Sequence, residues 1–298
     1  MGDALGDDDL HLALYLCYEL HYRGLPGVSD EAEWDPAILT LRRELESSFE
    51  RGLARAIPRR QARSDEIRRE LGAIVAPSAQ PALGTFVERE ATWDQVREFL
   101  VHRSAYQLKE ADPHSWVIPR LEGAAKTGVM EIQYDEYGSG DPAWIHAELF
   151  RATMIAAGLD ATYGAYVGRL PGSTLATVNL ISLFGLHRRW RGALVGHLAA
   201  FEMTSTIPNR CYGNGLRRLG ADATATRFFD EHVEADSVHE VLACDLATEV
   251  AVQEPLLAAD ILFGAEALAL MEGRMSTSLL AAWRSGRSSL LADPRHAT

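Results

Sequence analysis

Several common signatures are missing from this chain. Only three of its 298 residues are cysteine, at Cys17, Cys211 and Cys244, and none forms a CxxC pair. That excludes a disulfide framework or a thiolate zinc site and points to reduced thiols in the cytoplasm. Basic residues are outnumbered, 29 against 42 acidic, for a net charge of −13. The basic clusters are short, as at Arg59-Arg60 and Arg217-Arg218, so a phosphate backbone would be repelled and no nucleic acid partner is expected. The best apolar run near the start, 10–20, is too short to span a bilayer and is interrupted by His11 and Glu19. The acidic opening MGDALGDDD lacks the basic-then-apolar order of a secretory signal, so neither export nor a membrane is expected. There are no long alternating segments, no GxGxxG, no Walker A loop and no internal repeat.

What is present is helix after helix. Amphipathic or apolar segments are predicted at 10–21, 36–56, 64–75, 92–111, 115–123, 126–137, 142–157, 192–206 and 250–272. A further one lies within 170–189, capped by Ser173 or Thr174. Pro36 is placed to open a helix and Thr92 to cap one. The glycines and proline of YGSGDP must break the chain after Tyr137, and Pro208 reads as a stop. The stretch APSAQPALG reads as a loop. An all-α fold follows, with an N-terminal helical extension over 1–80 and a main helical domain over 81–298. At 47% hydrophobic residues, the chain can bury one large core.

The stretch FFDEHVEADSVHEVL, capped by Asp222 or Thr224, is the most informative. His232, Asp236 and His239 fall at offsets zero, four and seven, within about 60° on one helical face. Phe228, Phe229, Leu242 and Leu246 share that stripe, so it should face a core. A buried carboxylate between two imidazoles must be paired or must hold a metal. The competing reading is a different buried face, with both histidines partly exposed.

Other ligands can be sought at helix interiors and breaks. Glu202 in HLAAFEMTS sits on a stripe with Val195, Leu198 and Ala199. His146 in PAWIHAELF is flanked by Ala143, Leu149 and Phe150, and Glu136 stands just before the glycine break. The break would let Glu136 and His146 converge. Glu110 is near a helix end, and periodicity alone reads it as a surface residue. No Glu-x-x-His occurs, which argues against a ferritin-like bundle; Asp236-Ser-Val-His239 is the nearest local equivalent.

Three stretches carry a resemblance: EYGSGDPAWIHAELF, LFGLHRRWRGALVGHLAAFEMTS and RFFDEHVEADSVHEV. Over about residues 85 to 270 the chain resembles the haem-oxygenase-like diiron oxidases and oxygenases, in their actinobacterial branch. The resemblance implies a haem-oxygenase-like helical bundle without haem. It implies seven iron ligands: Glu110, Glu136, His146, Glu202, His232, Asp236 and His239. One iron would take Glu110, His146 and His239, the other Glu136, His232 and Asp236, with Glu202 bridging or shifting between them.

The implied cofactor is two non-haem irons per chain, with O2 as co-substrate. Three imidazoles and four carboxylates suit iron or manganese, and the carboxylates balance two divalent ions. Haem would ask for one axial ligand and an apolar pocket, not four acids. The expected activity is oxidation of a small amino acid or amine by N-oxygenation, desaturation or C–C cleavage. Electrons would come from the substrate or an external donor, and the N-terminal helices are candidates for a homodimer contact. Arg188, Arg189, Arg191 and Arg210 are candidates for holding a substrate carboxylate, and Tyr106, Tyr134 and Tyr163 for donors around the metals. His187 and His197 read as core or hydrogen-bonding histidines. The rival functions are a non-catalytic iron-binding or oxygen-sensing protein, a metal-free helical adaptor, and a cofactor-free helical enzyme of thiaminase-like arrangement.

Overall fold

The computed structural model describes residues 3–76 and 82–292, except the side chain of Ser237. The described residues form thirteen α-helices and no strand: α1 (Asp8–Glu19), α2 (Pro36–Ala56), α3 (Ile67–Val75), α4 (Ala82–Arg89), α5 (Trp93–Gln107), α6 (Asp112–Ser115), α7 (Gly123–Glu136), α8 (His146–Ala156), α9 (Gly172–Leu186), α10 (Arg191–Met203), α11 (Thr206–Arg218), α12 (Ala223–Gln253) and α13 (Ala258–Arg284). The all-α expectation holds. Among the described residues no helix is long and apolar enough to cross a membrane.

Local chemistry accounts for many helix ends. Asp35 caps α2 ahead of Pro36, and Thr92 with Gln95 forms a reciprocal capping box on α5. Asp222, not Thr224, caps α12. Neither Ser173 nor Thr174 caps α9; Pro171 holds that position and offers no side-chain acceptor. Pro208 does not stop a helix but lies in the first turn of α11. There its missing N–H would have had no partner within the helix. The expected helix over 250–272 straddles a real break: α12 ends at Gln253, Pro255 opens a short 3-10 turn, and α13 begins at Ala258. The APSAQPALG loop and the boundary at 80/81 lie largely outside the described residues, while α4 begins within that motif at Ala82.

The N-terminal helices share the main core. Leu14, Tyr18, Phe49, Leu53, Ile67 and Leu71 are buried in one cluster with residues of α9, α10, α12 and α13. The tightest crossing is α10 on α13. A Cβ on Gly196 would lie 1.7 Å from the Ile261 carbonyl oxygen, and one on Gly264 would lie 1.9 Å from that of Ala193. Only glycine permits this backbone approach, and it holds α10 against α13. The long α12, about 46 Å at 1.5 Å per residue, packs across α7, α8, α10 and α11. That packing brings several helix ends to the middle of its buried face.

Candidate metal centre

Each candidate ligand arrives from a different kind of position. Glu110 follows α5 in a turn closed by Ala111, whose φ of 71° is left-handed. Glu136 is the last residue of α7 and His146 the first of α8. Glu202 lies in the last turn of α10, and His232, Asp236 and His239 lie along the middle of α12. None of the seven is more than 7% exposed.

The α7–α8 connection shows how the break works. Tyr137 and Ile145 pair as an isolated antiparallel bridge. Gly138 has φ of 78°, and a Cβ there would lie 2.7 Å from the Ile145 nitrogen. The chain can therefore fold back tightly, and Nδ1 of His146 comes within 2.9 Å of Oε2 of Glu136.

The ligand atoms form two groups, each within 4.8 Å: Glu110, Glu136, His146 and His232 in one, and Glu136, Glu202 and His239 in the other. Glu136 belongs to both. Asp236 lies in neither group, but its Oδ1 is 3.9 Å from Nδ1 of His239. The expected division was Glu110/His146/His239 and Glu136/His232/Asp236; the side-chain positions instead group Glu110 and His146 with His232. His232 and His239 are seven residues apart, about 10.5 Å along the axis. His232 therefore meets Glu110 and His146, and His239 meets Glu202.

The imidazoles are oriented from behind. His232 holds its Nδ1 2.7 Å from the Phe228 carbonyl, turning Nε2 towards Glu110 Oε1 at 3.5 Å. With Nδ1 protonated, Nε2 presents a lone pair to the cluster. His239 faces Asp135 Oδ2 through Nε2 at 3.2 Å and Glu202 Oε2 through Nδ1 at 3.5 Å. Asp135 was not anticipated from sequence; its adjacency to Glu136 at a helix end was the only available signal.

A metal fits this donor set on one decisive observation. Among the buried atoms without a hydrogen-bond partner, six belong to the candidate ligands: Glu110 Oε2, Glu136 Oε2, His146 Nδ1, His232 Nε2, Asp236 Oδ2 and His239 Nδ1. An unsatisfied buried polar atom typically costs about 1–3 kcal/mol, so six converging in one place call for cations. The electrostatics agree. Burial, followed by the Asp236 and Glu136 charges, pushes Glu202 up to about 7 despite the nearby His239 imidazole. Burial opposes ionisation of Glu136, but the nearby charges, His146 first and then His232 and His239, hold it at about 2. Burial would lower His239, yet the Glu202 carboxylate beside it, with the Asp135 hydrogen bond and the Glu136 charge, raises it to about 9.

The surroundings sort the remaining candidates. Tyr106 is buried beside the Glu110, Glu136 and Glu202 charges, and burial with those charges raises its phenol well above the usual range. Tyr134 instead donates to the Ser139 carbonyl at the surface, and Tyr163 donates to Glu19. His187 meets Glu46 at 2.9 Å and His197 meets His114 at 3.2 Å, as core or hydrogen-bonding histidines do.

The four arginines expected at the substrate do not line the cavity next to the cluster. Arg188 is exposed, Arg189 pairs with Glu50, and Arg191 pairs with Glu254. Arg191 opens α10, eleven residues and about 16 Å before Glu202, and Arg188 and Arg189 lie in the short 3-10 turn ahead of it. Arg210 is exposed on α11. A cavity of about 340 Å³ opens beside the cluster instead, and it holds Arg103 and Glu272. Phe228, whose ring centroid is 4.2 Å from that of His232, forms part of its wall. Gln107, which donates to Glu110 Oε1 at 3.4 Å, forms another. The spacing of Phe99, Arg103, Gln107 and Glu110 on α5 and its following turn was the sequence signal for this wall.

A family model described as iron-containing redox enzyme matches residues 97–273, a span that includes all seven candidate ligands. A nitrosourea synthase from Streptomyces achromogenes subsp. streptozoticus is 27% identical over 172 residues, 58% of this chain. The match covers 36% of that relative, so this chain spans about a third of its length.

Proposed function

The chain belongs to the iron-containing redox enzyme family, and from that premise we propose a non-haem diiron oxygenase or oxidase that uses O2 to oxidise a small amino-acid- or amine-like metabolite. The observation that carries this reading is the convergence of six partnerless donor atoms on one buried centre. Glu110, His146 and His232 would hold one iron and Glu202 and His239 the other, with Glu136 within reach of either and Asp236 beside His239. Two irons held there would supply the electrons that reduce O2 and the oxidising power directed at the substrate.

The protein's own residues set the conditions. The Phe228 carbonyl and the Asp135 carboxylate fix which imidazole nitrogens face inward. Phe150 and Phe228, in edge-on contact at 5.0 Å, wall the His232 side with apolar surface. The Gln107 amide holds a donor against Glu110. Further parts of the proposal are an electron donor outside the chain, a homodimer contact through the N-terminal helices, and a cytoplasmic location in keeping with three free cysteines.

The test is anaerobic loading with Fe(II), metal analysis, and rapid mixing with oxygen in the presence and absence of amino acids and amines. Two irons per chain, oxygen consumption and a product that has gained oxygen or lost two hydrogens support the proposal. Iron binding without oxygen consumption would leave an iron-binding or oxygen-sensing protein.

A further inference from the structure

The cavity beside the metal centre is mainly apolar and aromatic, with Phe99, Phe150, Phe201 and Phe229 among its walls. One charged feature stands in it. Arg103 Nη1 and Nη2 each lie 2.9 Å from a Glu272 oxygen, a two-pronged pair joining α5 to α13. Both side chains are largely but not wholly covered, at 17% and 28% exposure, so each can still meet a ligand. Phe99 lies under the guanidinium, with 5.6 Å from its ring centroid to Cζ.

The pair is electrically neutral, which restricts its ligand. A simple carboxylate would gain Arg103 but bring a second anion beside Glu272. A simple amine would gain Glu272 but face Arg103. A molecule carrying both an ammonium and a carboxylate satisfies both residues and adds no net charge to a poorly solvated space. We propose that this cavity binds an α-amino acid with an apolar or aromatic side chain, its zwitterionic end on Arg103 and Glu272 and its side chain pointing at the metal centre. The direction follows from α5: Gln107 lies one helical turn beyond Arg103, about 6 Å along the axis, and its amide touches Glu110. A molecule anchored at Arg103 therefore presents side-chain atoms, not its α-amino group, to the cluster. The assignment of the side chain as the reacting part rests on the proposed oxidase reading; the binding site does not.

The test is calorimetric titration of the full chain, both metal-free and anaerobically loaded with Fe(II). The probes are L-phenylalanine, L-leucine, phenethylamine and 3-phenylpropanoate. At least one of the two amino acids should bind about tenfold or more tighter than either single-charge analogue, since each analogue loses one charge-assisted contact. Glu272→Gln should reverse the order in favour of 3-phenylpropanoate, and Arg103→Gln in favour of phenethylamine. The double variant Arg103→Gln/Glu272→Gln leaves no buried charge unpaired and should abolish the discrimination. Failure of both amino acids to bind, or an order unchanged in all three variants, overturns the proposal. Discrimination retained by a protein that takes up no iron would overturn the oxidase reading alone. Oxygen consumption by the iron-loaded protein without discrimination would overturn the amino acid site alone.

Discussion

Nδ1 of His146 stands 2.9 Å from Oε2 of Glu136, yet neither atom makes a hydrogen bond. The distance suits one, but the direction does not. Two potential ligands placed side by side with their lone pairs not aimed at each other are arranged for a third atom. They are consecutive helix ends, the last residue of α7 and the first of α8, so the turn between them sets the site.

That turn gives the first prediction. Gly138 is left-handed, and a Cβ there would meet the backbone of Trp144 and Ile145 at under 3 Å. Gly138→Ala must open the turn or strain it, at about 1–3 kcal/mol. Iron content should fall more than helicity does, because Glu136 and His146 separate before the bundle is lost. Metal analysis alongside circular dichroism checks this; full iron content in the variant would show that the turn does not set the ligands.

A second prediction uses the two groups of ligand atoms. His232→Ala removes a donor from the Glu110 group and His239→Ala one from the Glu202 group. Each variant should therefore keep about one iron per chain rather than lose both. The double variant should bind iron weakly. Two irons retained in either single variant, measured after exhaustive desalting, would show that the replaced histidine is not a ligand.

Much of this was legible in advance, for definite reasons. Helix periodicity and capping residues are local, so α2 and the capped start of α5 could be read directly. The stripe of α12 was equally clear, because Phe228, His232, Asp236 and His239 follow one face. The axial separation of His232 and His239 was also in the sequence and agrees with placing them on different irons; which carboxylates and which imidazole of α8 stand beside each depends on tertiary packing and was not legible. The α11 helix was missed because Pro208 reads as a stop, whereas proline is tolerated in a first turn. The Arg103–Glu272 pair was invisible for another reason. Its partners are 169 residues apart, and only the packing of α5 against α13 joins them.

The third prediction concerns acid. Burial lowers His11 to about 4, His102 to about 3 and His114 to about 4. An unfolded histidine takes its proton near pH 6.5, while these folded ones refuse it until well below. Their contribution to stability is thus complete above about pH 6.5 and is lost as pH falls towards their folded values, by about 1.4 kcal/mol per pH unit for each. His102 is held by the Thr174 and Ser289 hydroxyls at 2.8 and 2.9 Å. His102→Asn should reduce the slope of stability against pH by about one proton between pH 6 and 4. Urea unfolding of both proteins across that range tests it, and the cluster imidazoles, common to both, cancel in the difference. Equal slopes would mean that His102 is already protonated in the folded chain.

The last prediction concerns the residue next to a ligand. Lys109 precedes Glu110 and is 1% exposed; its ammonium pairs with Glu19 of α1 and lies 4.2 Å from the Tyr22 ring centroid. Tyr163 donates to the other Glu19 oxygen at 2.5 Å. Burial lowers the Lys109 pKa, while Glu19 opposes that by charge and hydrogen bond. Glu19→Gln leaves a buried ammonium without its counter-charge and should cost about 3–5 kcal/mol. Glu19→Leu combined with Lys109→Met removes both charges and should recover most of that loss. The fold alone would then be repaired, so iron affinity becomes informative. If α1 positions Glu110 through this pair, the double variant should melt near the wild type yet hold the iron of the Glu110 group more weakly. Thermal unfolding and competitive iron titration separate the two effects. Wild-type iron affinity in the stable double variant would reduce the pair to a structural contact between α1 and the turn after α5.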